Sequence, residues 1–137
     1  MSARFPYFAE VPRQWTRNLE FRLDLIRMAR TVPGMKETLL HMCSKDVCFM
    51  LAAFGWTVDQ RDLEITERPF VPWEYQVDAF ADLQERYDAS RDGRADCRIK
   101  KSRDMGASWI CLAFLMHRWM FDDNVSFLLV SRNEDYV

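Results

Sequence analysis

Nothing in this 137-residue chain forms a C-x-x-C pair, although it carries four cysteines, Cys43, Cys48, Cys97 and Cys111. That spacing argues against zinc knuckles and ribbons, and His41-Met42-Cys43 with Cys48 is a poor substitute, because a helix projects those positions in divergent directions. Free buried thiols in a reducing cytosol are the expectation. Long apolar runs are also missing. The longest, Val47 to Trp56, has ten residues, too few to cross a bilayer, and reads as a buried helix. Met1 to Pro12 is interrupted by Arg4, Pro6 and Glu10, so it lacks the apolar core of a secretory leader. There is no repeat and no low-complexity tract. Nor is there an excess of positive charge: 19 Lys and Arg against 21 Asp and Glu give −2 at pH 7, which removes any global electrostatic reason to expect nucleic-acid affinity.

What the chain does have is a 49% hydrophobic composition, enough to bury a core, and a helical start. Gln14 to Arg30 reads as an amphipathic helix with Trp15, Leu19, Leu23 and Ile26 on its apolar side, and Val32-Pro33-Gly34 stops it. A second helix is expected from Met35 to Met42. Residues 1–59 therefore form an expected helical N-terminal subdomain, and residues 60–68 a linker into an α/β part covering 69–137.

The richest stretch is Cys97-Arg98-Ile99-Lys100-Lys101-Ser102-Arg103-Asp104-Met105-Gly106-Ala107-Ser108. Against the phosphate-loop pattern G-x-x-x-x-G-K-[ST], Gly106 and Ser108 fall on the second Gly and the Ser/Thr, while Lys101 replaces the first Gly and Ala107 the Lys. The chemistry asks for a Gly where backbone approaches phosphate, exposed N–H groups at a helix start, a hydroxyl for Mg²⁺ and a nearby cation. Gly106, the N–H groups of Ala107 and Ser108, the Ser108 hydroxyl, and Lys101 or Lys100 supply those four. An ordinary capped helix start, with Ser102 or Asp104 as the cap, explains the same residues about equally well. Context favours the loop: Ala107 to Phe121 carries a helical stripe at 110, 113, 114, 117 and 120 or 121, and Val125 to Val130 follows as an apolar run. Strand, loop, helix, strand predicts a βαβ unit in a parallel sheet, with the loop at the carboxyl end of its first strand.

Upstream, Pro69-Phe70-Val71-Pro72-Trp73-Glu74-Tyr75-Gln76 opens a predicted helix with Val77, Phe80, Leu83 and Tyr87 on one face. A packed aromatic turn is the plainer reading. An aromatic ring beside a Gln also suits an adenine, the ring stacking and the amide meeting the base edge. Arg86 to Arg103 holds seven basic residues against three acidic ones, a local balance that serves either a triphosphate or a DNA backbone. Asp122-Asp123 offers a carboxylate pair, but it follows a helical stripe and reads as a solvated turn. His117 lies on the apolar side of its helix and reads as a core residue.

Four blocks in order, Phe54-Gly55-Trp56-Thr57-Val58-Asp59, then Pro69 to Gln76, then Lys101 to Trp109, then Phe127-Leu128-Leu129-Val130-Ser131-Arg132-Asn133-Glu134, resemble the N-terminal ATPase region of tailed-bacteriophage terminase large subunits. The resemblance spans about Asp46 to Val137. It implies an α/β P-loop NTPase fold, of which residues 69–137 would hold the first βαβ unit, without the acidic Walker B strand or the nuclease domain. By the resemblance Tyr75 and Gln76 match the adenine motif. Lys101, Ser102, Gly106, Ala107 and Ser108 match the phosphate loop, with Ser108 reaching Mg²⁺ through the nucleotide, and Arg103 matches an arginine that senses the γ-phosphate. Asp104 departs from the commoner neutral residue. The implied function is ATP-driven packaging of double-stranded viral DNA by a homo-oligomeric ring that works with a portal protein and a small terminase subunit. The implied place is the host cytoplasm, transiently at the procapsid portal vertex, with no membrane involved. A helicase-like motor ATPase and an inactive remnant that only binds a partner are the alternatives.

Overall fold

The structure is a computed structural model that describes residues 4–58, 67–90, 97–100 and 106–130. Its organising element is a short helix that is apolar on every side. This helix, α3 (Val47–Phe54), has seven of its eight residues buried and is surrounded by the other helices. They are α1 (Trp15–Thr31), α2 (Met35–Lys45), α4 (Glu74–Ser90) and α5 (Ala107–Phe121). An all-round apolar helix is stable only as the centre of a core. Phe80 of α4 and Ile110 and Phe114 of α5 close over it to form one continuous cluster.

Local chemistry sets the helix starts. Pro69 and Pro72 hold the chain extended before α4, as proline and the residue before it require. Gly34, at φ 79°, and Gly106, at φ 70°, take left-handed backbone at the N-caps of α2 and α5, a conformation that costs a residue with a Cβ. Asp46 caps α3: one carboxylate oxygen accepts the Phe49 N–H at 2.7 Å, and the other accepts the N–H groups of Tyr7 and Phe8 at 3.0 and 2.9 Å. One carboxylate thus starts a helix and ties the N-terminal segment to it. Burial raises the Asp46 carboxyl, and hydrogen bonds from Phe49, Phe8, Tyr7 and Cys48 pull the other way.

The expected α/β P-loop NTPase fold with a parallel sheet is corrected here. The described residues form five α helices and a single two-stranded antiparallel sheet, β1 (Trp56–Val58) with β2 (Glu67–Pro69), in the register Trp56 to Pro69, Thr57 to Arg68 and Val58 to Glu67. Neither segment expected as a parallel strand sits in a ladder: residues 97–100 are exposed and irregular, and residues 125–130 have no strand pairing. A βαβ unit needs its two strands side by side, and here α5 spends its inner face on α3 and α4 rather than on a sheet. The helix expected at 14–30 forms as Trp15–Thr31 but is rotated by about a quarter turn, at 100° per residue, from the face expected to be inside. Asn18, Arg22 and Leu25 are buried, whereas Trp15, Leu23 and Ile26 are exposed.

His117 is fully buried, where the sequence placed it. Its Nε2 lies 2.7 Å from the Cys43 carbonyl, its Nδ1 has no partner among the described residues, and Phe121 lies against the ring. Burial lowers its pKa from 6.5 to about 4, with the Cys43 carbonyl and Asp122 raising it and Arg118 lowering it. The folded protein therefore keeps this ring neutral while the unfolded chain takes up a proton below about 6.5. Stability from this group is complete above that pH and is lost as the pH falls towards 4, by an amount on the order of 3 kcal/mol. Urea midpoints measured from pH 7 to 4.5 are expected to fall more steeply for the wild type than for His117→Gln. Parallel curves would show that this ring does not drive the dependence.

Candidate nucleotide site

The start of α4 is built by Trp73 and Gln76. The Gln76 Oε1 accepts the Trp73 N–H at 3.0 Å while the Gln76 N–H is donated to the Trp73 carbonyl at 2.9 Å. This is half of a capping box, in which the third helical residue satisfies the cap residue's amide. With its oxygen engaged there and only 6% of the residue exposed, Gln76 turns its other end to α5: a Cβ built on Gly106 would lie 3.3 Å from Nε2. The amide of a residue in the first turn of α4 and the cap of α5, thirty positions apart in sequence, meet at one point.

Gly106 brings two properties to that point. Its left-handed backbone and the missing Cβ leave room beside Gln76, and it opens a fifteen-residue helix whose first turn contains no acidic residue. The first N–H groups of a helix have no partner within it, and together with the helix dipole they favour an anion. Ala107 is half-buried and Ser108 is exposed, so the hydroxyl is open to solvent. Around this point lies a cleft of about 780 Å³ whose lining includes Trp73, Glu74, Tyr75, Gln76, Gly106 and Trp109 together with Arg13, Trp15 and Arg68. The Arg68 guanidinium stands 5.8 Å from the centre of the Trp15 ring, and Arg13 pairs loosely with Glu74 at 3.5 Å. Flat π faces and two cations in one cleft suit a stacked base carrying negative charge.

The structure thus brings Tyr75, Gln76, Gly106, Ala107 and Ser108 to one region. Lys101, Ser102 and Arg103, with Asp104, lie outside the described residues. Lys100 is exposed. Asp122 is engaged elsewhere: it accepts the Tyr87 hydroxyl at 2.9 Å and lies 3.7 Å from Arg118, at the far end of α5, about 24 Å from Gly106 at 1.5 Å per residue. Among the described residues no group of three His, Cys, Asp or Glu side chains is placed to hold a metal ion. The four cysteines are free, and burial pushes the thiols of Cys43 and Cys48 up, that of Cys43 to about 11. Sequence reasoning missed Trp15 and Arg68 as cleft residues. The sequence carried no signal for them beyond an aromatic at the start of the predicted first helix, assigned to its apolar side, and a basic residue at the end of the expected linker. Among the described residues no helix is long and apolar enough to cross a membrane.

The chain matches no family model, no curated protein and no solved structure.

Proposed function

We propose that the cleft between α4 and the start of α5 binds ATP, and that the chain is the nucleotide-binding part of a viral DNA-packaging terminase large subunit. The observation that carries the reading is the approach of the Gln76 amide to Gly106, because it joins the adenine block and the phosphate-loop block, which were identified separately in sequence. Nothing in it requires a parallel sheet. Tyr75, exposed on the cleft wall, offers a ring for stacking. Gln76 offers its Nε2–H donors, its Oε1 being engaged with Trp73. The N–H groups of Ala107 and Ser108 face the phosphates, and the Ser108 hydroxyl reaches Mg²⁺ through the nucleotide. Lys101 and Arg103, and Ser102 between them, take their phosphate roles from the resemblance alone. Double-stranded DNA, a portal protein, a small terminase subunit, a ring of subunits and a place at the procapsid vertex in the host cytoplasm come from the same source.

Energy transfer from tryptophan to an N-methylanthraniloyl derivative of ATP tests the reading, since three of the five tryptophans line the cleft. The isolated chain is expected to bind weakly, with a Kd on the order of 0.1–1 mM, and to hydrolyse nothing. Tyr75→Ala is expected to weaken binding about tenfold, in line with the 1–3 kcal/mol of a base–aromatic stack. No transfer at millimolar nucleotide, or equal affinity for Tyr75→Ala, would overturn the site. Steady turnover abolished by Ser108→Ala would overturn the expectation of inactivity.

A further inference from the structure

Gln76 is only half satisfied by its own helix. Its Oε1 accepts the Trp73 N–H at 3.0 Å. A backbone N–H can meet only the oxygen of a side-chain amide, so the end that faces α5 is the NH₂ group. That Nε2 lies 3.3 Å from where a Cβ on Gly106 would stand, and it has no hydrogen-bond partner among the described residues. Only 6% of the residue is exposed. A side chain more than nine-tenths buried therefore aims its donors at a helix start with no described group to accept them, although buried donors are ordinarily matched. The helix start has the same surplus. The first bond within α5 runs from the Ile110 N–H to the Gly106 carbonyl at 3.0 Å, which leaves the N–H groups of Ala107, Ser108 and Trp109 outside the helix's own ladder. Gly106 has no side chain to cap them, and the first turn carries no acid. Glu74, the one carboxylate among the described residues lining the cleft, is paired with Arg13.

We propose that Gln76 Nε2 and the first-turn N–H groups of α5 form one oxyanion subsite that takes a phosphoryl group, so that Gln76 reads phosphate rather than base. Donors converge on the subsite from two elements, the amide from α4 and the backbone groups from α5. A pocket that offers only donors calls for a ligand that offers only acceptors, and the dipole at the helix start favours one with negative charge. The reading of the cleft as an ATP site, on which the assignment rests at this one point, names that anion as a phosphoryl group. The same engagement of Oε1 sets the specificity. Adenine differs from guanine at its exocyclic amino group, a donor where guanine carries an acceptor, and reading a donor takes an acceptor. The Gln76 acceptor is held by Trp73, while stacking on Tyr75 serves any base. The site is selective for the phosphate chain and tolerant of the base.

Two titrations of the 137-residue chain test the proposal: phosphorus NMR shifts for inorganic triphosphate, and tryptophan energy transfer for the N-methylanthraniloyl derivatives of ATP and GTP. Triphosphate is expected to bind and to displace both nucleotides, whose affinities agree within about threefold. Gln76→Glu keeps the cap on Trp73, since Glu serves as well as Gln at this helix position, but sets a carboxylate oxygen against Gly106. It is expected to weaken triphosphate, ATP and GTP alike, each by at least about tenfold, with the far-UV circular dichroism unchanged. Nucleotides that bind while triphosphate neither binds nor displaces them would overturn the subsite and leave the ATP cleft standing. Triphosphate that binds and is weakened by Gln76→Glu, with neither nucleotide bound, would uphold the subsite as one for free phosphate chains and overturn the ATP reading instead. Binding of none of the three would overturn both. A folded Gln76→Glu chain that loses only ATP, or that holds triphosphate as the wild type does, would overturn the assignment of Gln76 to the phosphate.

Discussion

Replacing Asp46 with alanine is expected to lower the unfolding free energy by about 3–5 kcal/mol, one of the two largest single-residue losses the structure implies. The carboxylate is fully buried and accepts three backbone N–H groups, those of Tyr7, Phe8 and Phe49. Alanine leaves all three donors in a dry interior, where each unsatisfied group costs about 1–3 kcal/mol, and removes the N-cap of α3 as well. Relief of the buried charge offsets part of that sum. Asp46→Asn discriminates between charge and geometry. Its single carbonyl oxygen can still cap Phe49, but its NH₂ group then faces the donors of Tyr7 and Phe8, so a loss intermediate between wild type and alanine is expected. Urea unfolding followed by circular dichroism measures all three proteins. An alanine variant within 1 kcal/mol of the wild type would show that the N-terminal segment is not held to α3 through this side chain.

Asp46 also shows how much of the molecule was legible beforehand. The apolar run from Val47 announced a buried helix, because ten apolar residues in sequence leave no side for water, and the preceding Asp is a good cap by type. That this Asp would also hold Tyr7 and Phe8, thirty-nine and thirty-eight positions away, is a tertiary fact with no local signature. Helix α5 was legible end to end from its 3.6-residue stripe. Helix α1 was legible as a helix but not in its orientation. Apolar residues mark Trp15, Leu19, Leu23 and Ile26 as the inner side, yet the core accepts Asn18, Arg22 and Leu25 because α3 ends there in carbonyls that need donors. The parallel sheet failed for a related reason. An apolar run such as Phe127 to Val130 specifies neither a ladder partner nor burial by itself: all four residues are exposed, and the run has no strand partner among the described residues. In the candidate site, Gln76 and Gly106 were each visible as motif members. The use of the Gln76 oxygen as a cap is a local contact with Trp73, three residues back, whereas the approach of its amide to Gly106 depended on the packing of α4 against α5.

The second large effect is expected at Arg22, for the same carbonyls that draw Asn18 and Arg22 of α1 into the core. A helix leaves its last carbonyl groups without partners in its own ladder, and at the end of α3 these lie inside the protein. Arg22 reaches them from α1. Its Nε is donated to Asn18 Oδ1 at 2.7 Å and to the Ala52 carbonyl at 3.1 Å, and its NH2 to the carbonyls of Leu51 and Gly55 at 3.2 and 2.7 Å. Trp56 covers the guanidinium, with its ring centre 5.0 Å away. Burial lowers the arginine's pKa from 12.5 to about 10, so the group stays charged at neutral pH, a cation neutralised by carbonyl dipoles. Arg22→Met keeps much of the volume and removes every donor, and is expected to cost about 3–5 kcal/mol, since Ala52, Leu51 and Gly55 lose acceptor contacts in the interior. Arg22→Lys keeps the charge but not the planar fork that spans two successive turns, so it is expected to recover less than half of that loss. Asn18→Ala combined with Arg22→Met is expected to cost less than the two separate losses added together, because Asn18 orients the same guanidinium and itself donates to the Ala52 carbonyl. Denaturant unfolding gives the energies, and hydrogen exchange at the Gly55 amide, bonded to Leu51 in the last turn of α3, reports where the protein loosens. A methionine variant as stable as the wild type, or one whose Gly55 protection is unchanged, would mean that the end of α3 is held by packing alone.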